Sequence, residues 1–172
     1  AARLVATADV HPGDLVLDIG AGTGVITAEL VRARARVVAV ELHPQRAEML
    51  RRRFAGAPVT VVRADASDLR LPRHAFKVVA NPPFGAIVGL LRRLTSRTSR
   101  LQSASLVVPT WAAARWANGR GAGGAAARRA FDCARGPRVP AHAFHPPPPD
   151  DAAILLVRRS TGAGGRSRDG GR

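Results

Sequence analysis

Apolar residues along this chain come in short, branched runs, and the stretches between them carry apolar positions at helical spacing. Leu15-Val16-Leu17-Asp18-Ile19 is such a run and enters a glycine loop, as a strand buried on both faces does. From Val25 to Arg34 the apolar positions Val25, Ile26, Leu30, Val31 and Ala33 predict a helix lying on a sheet. Val37 to Val40 predicts a second strand with Glu41 at its end, and Pro44 to Phe54 a helix whose first turn accepts proline. Val59 to Val62 reads as a third strand ending near Asp65. Phe76 to Ala80 reads as a fourth, stopped by Pro82-Pro83 because proline has no N–H for a ladder. A helix from Ile87 to Leu94 and a strand from Ser105 to Val108 follow.

Beyond Val108 the pattern loosens. Ala112 to Ala117 suits a helix, Asn118 to Gly124 a mobile glycine-rich loop, Phe131 to Val139 a strand, and Ala153 to Val157 a closing strand. Pro146 to Pro149 is a proline run outside regular structure. From Thr161 to Arg172, Gly, Arg and Ser dominate and predict a disordered basic tail. Strands alternating with helices at this spacing predict an α/β fold with one open, mostly parallel, seven-stranded sheet. The expected division is a single domain over 1–160 and the tail over 161–172, with the site at the carboxyl ends of the strands.

Composition adds a partner class. The 172 residues carry 27 Lys+Arg against 12 Asp+Glu, a formal charge of +15, and Lys77 is the only lysine. The guanidinium fork matches phosphate bidentately and stacks on bases, so an arginine-only cationic surface fits nucleic acid. GC-rich coding, which favours Arg, Ala, Gly and Pro together, is an equal account of the bias, but the charge acts physically either way. Cys133 stands alone, so no intrachain disulfide or thiolate cluster forms, and a reducing, cytoplasmic setting is expected. No apolar stretch approaches the roughly 20 residues of a membrane span. Ala1-Ala2-Arg3 does not open a signal peptide.

Candidate chemistry sits at the strand ends. In Asp18-Ile19-Gly20-Ala21-Gly22-Thr23-Gly24 the third glycine comes one residue too early for the dinucleotide fingerprint. That spacing suits a loop bent around an aminoacyl or ribose group better than one clasping a pyrophosphate. Glu41, at the end of the second strand, can accept both hydroxyl protons of a ribose. Asp65-Ala66 places an acid and a small residue where a purine's exocyclic amine could donate, with Asp68 as the competing acid. Asn81-Pro82-Pro83-Phe84 is the most specific motif. The Asn81 side-chain oxygen and the Pro82 carbonyl can accept both N–H bonds of a planar amine and aim its lone pair, while Phe84 stacks on the ring. A base lodged there must be unpaired or flipped out.

Together these residues resemble the class I S-adenosylmethionine-dependent methyltransferases, with their Rossmann-like sheet. More narrowly they resemble the Erm-type ribosomal RNA adenine N6-methyltransferases and their housekeeping relatives acting on small-subunit rRNA. The resemblance runs over about residues 4 to 158 and includes the late Ala143-Phe144-His145-Pro146-Pro147-Pro148. It implies catalytic roles for Asn81, Pro82, Phe84 and Phe144, with Phe144 the second aromatic wall of an adenine pocket. It implies cofactor contacts from Asp18, Gly20, Ala21, Gly22, Glu41, Leu42, Asp65, Ala66 and Asn81. S-adenosylmethionine would be the cofactor, ribosomal RNA the partner, and a monomer the working form, with neither metal nor membrane. Large-subunit rRNA is the favoured substrate, with macrolide-lincosamide-streptogramin resistance as its result.

Departures from the family pattern bear on the substrate more than on the reaction. The family's Gln-Asn-Phe-like segment and its small helical C-terminal domain have no counterpart in these residues, and Pro109-Thr110-Trp111 replaces its Gln- and Arg-rich helix. Small-subunit rRNA, DNA adenine and protein therefore stand as alternative substrates. A nicotinamide-dependent oxidoreductase and a non-catalytic RNA-binding module are the readings outside the class. His142 and His145 lack the carboxylate or thiol company of a metal site. Trp111 and Trp116 read as packing residues, and Arg51-Arg52-Arg53 as a solvated helix face that could add to a phosphate-binding stripe.

Overall fold

The computed structural model describes residues 1–120, 129–144 and 151–160. Its elements run α1 (Ala2–Ala6), β1 (Leu15–Ile19), α2 (Val25–Arg32), β2 (Arg36–Val40), α3 (Pro44–Arg53), β3 (Val59–Val62), β4 (Phe76–Ala80), α4 (Ile87–Leu94), β5 (Leu101–Pro109), α5 (Thr110–Ala117), β6 (Phe131–Val139) and β7 (Ala152–Arg159). The strands form one seven-stranded sheet in the order β3-β2-β1-β4-β5-β7-β6. The β1–β5 ladders are parallel, and β7 runs antiparallel to both β5 and β6. The expected strands are all present. The glycine-loop positions 121–124, the proline run and the 161–172 tail lie outside the described residues.

Alternation along the strands splits the core into two layers. Leu17 and Ile19 of β1 join Ile87, Leu90, Leu91 and Leu94 of α4 and Trp116 of α5 on one face. Val16 points to the other face, where Leu4 of α1 and Leu30 of α2 pack. A smaller cluster of Ala21, Ala39 and Leu50 lies under the glycine loop. The tryptophans part company: Trp116 is buried in the core, whereas Trp111 is exposed.

Where boundaries differ from the sequence pattern, tertiary contacts explain the shift. Strand β5 begins at Leu101, ahead of the expected Ser105, because Leu101 is buried and Ser103 pairs with both Lys77 and Arg158. Gln102 and Ser103 hide that extension from a hydrophobic pattern. Helix α2 stops at Arg32 because Arg34 takes a left-handed φ of 59°. Strand β7 runs past its apolar stretch to Arg159, whose guanidinium lies over the Phe131 ring and donates to the carbonyls of Leu101 and Ser99. Helix α1 was not expected. It has one buried residue, Leu4, and its place comes from docking beside α2 and β5.

Candidate methyltransferase site

The chain leaves β1 towards β2 on one side and β4 towards β5 on the other, so a crevice opens at the carboxyl ends of β1 and β4. The ladder itself opens there. β1 pairs with β4 at Val16↔Lys77 and Leu17↔Val78 and no further, whereas β1 and β2 stay paired up to Ile19↔Val40. Below the crevice, the Lys77 ammonium meets the Asp14 carboxylate at 2.8 Å and holds the amino-terminal ends together. Burial acts to raise the Asp14 pKa, but the hydrogen bonds from Lys77 and the His11 amide outweigh it and leave the carboxyl below its usual value.

Gly20 and Asn81 end the two diverging strands and bring both sequence motifs into one place. The Gly20 and Ala21 amides donate to the Val40 carbonyl at 2.8 and 3.0 Å, which bends the loop over β2. With φ at 79°, Gly20 sits so close to the second motif that a Cβ would lie 3.2 Å from Pro83 Cδ and 3.4 Å from the Asn81 carbonyl oxygen. Phe84 opens a single 3-10 turn, Phe84–Ala86, that leads into α4. Phe144 follows a 3-10 turn over Ala141–Ala143 after β6 and packs with the layer that holds Leu4 and Leu30. The Asn81 side chain makes no hydrogen bond to any described residue.

Three carboxylates flank this corner in different states. Glu41 is buried, and its two oxygens accept the Gly22 amide at 2.9 Å and the His43 amide at 2.8 Å. It thereby shapes the glycine loop and keeps acceptor capacity on both oxygens. Asp18 lies fully buried beneath the loop. The Thr27 hydroxyl donates to its Oδ2 at 2.6 Å, while Oδ1 has no partner. Burial pushes the Asp18 pKa up to about 7, against the Thr27 hydrogen bonds and helped by the nearby Glu41 charge. Asp65 is exposed. The Ser67 amide and hydroxyl donate to its Oδ1 at 2.8 and 2.7 Å and hold its carboxyl below the usual value. Its competitor Asp68 instead pairs with Arg93 at 3.0 Å.

Two adjoining cavities occupy the crevice. One, of about 790 Å³, is lined by Gly20, Gly22, Glu41, Leu42, Asp65, Ala66, Asn81, Pro82, Phe84 and Phe144, all anticipated from the sequence. The other, of about 690 Å³, lies against Ala21, Thr23, Arg3, Leu4 and Pro140. Gly20, Gly22, Arg46, Asn81 and Phe144 line both. Arg46 was missed. Its signal is its place in the first turn of α3, close after Glu41, where a helix start directs side chains over the strand ends. Asp18 lines neither cavity and acts from below. His145 lies outside the described residues.

A seven-stranded sheet of this order, with the glycine loop after β1 and the acid after β2, is the Rossmann-like fold of the class I methyltransferases. The chain belongs to the ribosomal RNA adenine dimethylase family, whose model matches residues 1–164. It is 36% identical over 137 residues, 68% of this chain and 46% of the relative, to an rRNA methyltransferase of Streptomyces thermotolerans. It is 36% identical over 150 residues, 84% of this chain and 46% of the relative, to the mycinamicin-resistance protein MyrB of Micromonospora griseorubida. The crystal structure of the 23S rRNA methyltransferase ErmE superposes with a TM-score of 0.82 at 28% identity, over 93% of this chain and 67% of that one. The chain spans about half the length of these curated relatives. Among the described residues no helix is long and apolar enough to cross a membrane.

Proposed function

We propose that this chain transfers a methyl group from S-adenosylmethionine to the N6 atom of an adenine in ribosomal RNA. The observation that carries the reading is the position of Asn81 and Phe144 on the wall shared by two cavities, with the glycine loop packed against Asn81-Pro82-Pro83. One cavity offers acceptors suited to a nucleoside, Glu41 for ribose hydroxyls and Asp65 for a purine amine.

The residues fit the cofactor. Asp18 Oδ1 is a buried acceptor without a donor under the loop, and Glu41 retains free lone pairs at the cavity edge. Glu41, Leu42, Asp65 and Ala66 would hold its nucleoside end, and the Gly20–Gly22 backbone the rest. S-adenosylmethionine supplies an electrophilic methyl carbon on a sulfonium. The protein's task is to orient the nucleophile. Asn81 Oδ1 and the Pro82 carbonyl accept the two N–H bonds of the exocyclic amine, which turns its lone pair out of conjugation with the ring. Phe84 and Phe144 hold the base from either side. The amine loses its proton after attack, so no strong base is required and catalysis is positioning.

The favoured substrate is large-subunit rRNA, modified by a monomer in the cytoplasm, with resistance to macrolides, lincosamides and streptogramins as the outcome. Similarity to MyrB and ErmE over most of this chain supports that choice. The test is incubation with radiolabelled S-adenosylmethionine and separate rRNA, DNA and protein pools, followed by primer extension on labelled RNA. Label in protein or DNA alone would overturn the reading, and a stop in small-subunit rRNA would move the substrate.

A further inference from the structure

One group of unpaired arginines lies at the end of the sheet opposite the catalytic crevice. There, a third open cleft of about 910 Å³ lies among the segment preceding β4, the end of α4 and the turn that enters β5. Arg70, Arg73, Arg92 and Arg100 line it. All four are exposed, and none of their side chains has a bonding partner among the described residues. Ser96 and Thr98 add hydroxyl donors, and no carboxylate lines the cleft. The nearby Asp68 is already neutralised by Arg93, which also donates to the Leu69 carbonyl.

Several arginines elsewhere are already engaged. Arg51 and Arg52 share Glu48, Arg32 bonds to Glu29, and Arg138 bonds to Asp151. The crevice itself is of mixed sign, with Glu41 and Asp65 among Arg3, Arg46 and Arg138. The arginine cleft has no carboxylate in its lining and is the better place to grip a polyanion. Unpaired guanidinium groups are open to bidentate phosphate contacts, and the released counter-ions drive such binding.

Helix α4 connects the two places. It starts beside Phe84 at the crevice and ends at the arginine cleft, about 12 Å away at the rise of an α-helix. Gly85 in the turn before it, and Val88, Gly89 and Arg92 on the helix, are exposed. At Gly85 and Gly89 an added Cβ would meet nothing within 4 Å, so packing does not require glycine there. The outcome is a low, side-chain-poor ramp that a sugar-phosphate backbone can approach closely.

We infer that the arginine cleft is a second RNA anchor, which holds backbone phosphates of the same RNA whose target base enters the crevice. This rests on the reading of the chain as an RNA methyltransferase. The anchor contributes affinity without sequence preference and leaves the chemical step untouched.

The test replaces Arg70, Arg73, Arg92 and Arg100 by Gln together. A control of equal charge change replaces Arg32, Arg34, Arg51 and Arg52 by Gln. Filter binding of in vitro transcribed large-subunit rRNA across a KCl series is read alongside kcat at saturating RNA and S-adenosylmethionine affinity. The cleft variant should lose tenfold or more in RNA affinity, and its log–log salt slope should become shallower by about 3, from roughly 0.7–0.9 per phosphate contact. Its kcat and cofactor affinity should stay unchanged, and the control should lose less than about twofold. Equal losses in the two variants, or an unchanged slope in the cleft variant, would overturn the anchor. So would retained RNA affinity with lost binding to phosphatidylserine vesicles, which would make the cleft a lipid site. If the parent protein incorporates no methyl into any RNA, the proposed function fails, and the salt slopes still decide the anchor.

Discussion

Asn81 is a polar side chain with no partner among the described residues, set among carboxylates that are each held by donors. That contrast supports the proposed positioning role of Asn81. Asn81→Ala removes one acceptor for the target amine, and turnover on rRNA should fall roughly 10²–10³-fold, the scale for loss of one preorganised hydrogen bond at a reacting centre. Calorimetry should find S-adenosylmethionine affinity nearly unchanged; unchanged turnover would sink the mechanism. Asp18 carries a pH signature. Its folded pKa, raised to about 7 by burial, lies above the unfolded value of 3.8, so the folded state binds the proton more tightly. The resulting stability is complete below pH 3.8 and is lost as the pH rises to about 7. Asp18→Asn should remove that slope, with melting temperatures of variant and parent diverging in the variant's favour between pH 5 and pH 8.

At the scale of elements, the two glycines at helix boundaries and interiors have opposite meanings. Gly24 caps α2 with φ at 81°, and a Cβ there would meet side-chain carbons of Leu50 and Phe54 at 2.7 Å. Gly24→Ala should cost about 1–3 kcal/mol in denaturant unfolding, from backbone strain and crowding together. Gly89 lies in the exposed side of α4 with open space around it. Gly89→Ala should stabilise the fold by about 0.5–1 kcal/mol, since alanine loses less backbone entropy in a helix. Hydrophobic spacing made these helices readable, because a one-sided apolar stripe must face a sheet. It did not give the start of β5, where Leu101 is held by a neighbour distant in sequence, or the short α1, which docking creates.

Over the whole molecule, the charge of +15 sets how the protein meets a polyanion. With 6–10 phosphate contacts, RNA affinity should fall by about 10³–10⁵ between 50 and 200 mM salt. Cofactor binding in the crevice should hardly change over that range. Filter binding and calorimetry on the same samples separate the two, and a flat RNA salt series would deny the charge any role in substrate capture. The expectation from composition was diffuse, and Arg51-Arg52-Arg53 was its nearest candidate stripe. The structure spends Arg51 and Arg52 on Glu48, and Arg53 on the Thr23 carbonyl. Four arginines without a partner among the described residues converge instead beyond α4.

The α/β class, the strand-end motifs and most of the crevice lining were legible in the residues alone, because strand alternation, glycine loops and a proline-ended strand are local necessities. Whatever depends on distance in space was left to the folded arrangement. That arrangement set Gly20 against Asn81 and Pro83, turned Asp65 to the cavity and Asp68 to Arg93, brought Phe144 to the crevice, and buried Trp116 while exposing Trp111. Strand order and the splay of β1 from β4 place these groups, and neither is written in any one segment of the chain.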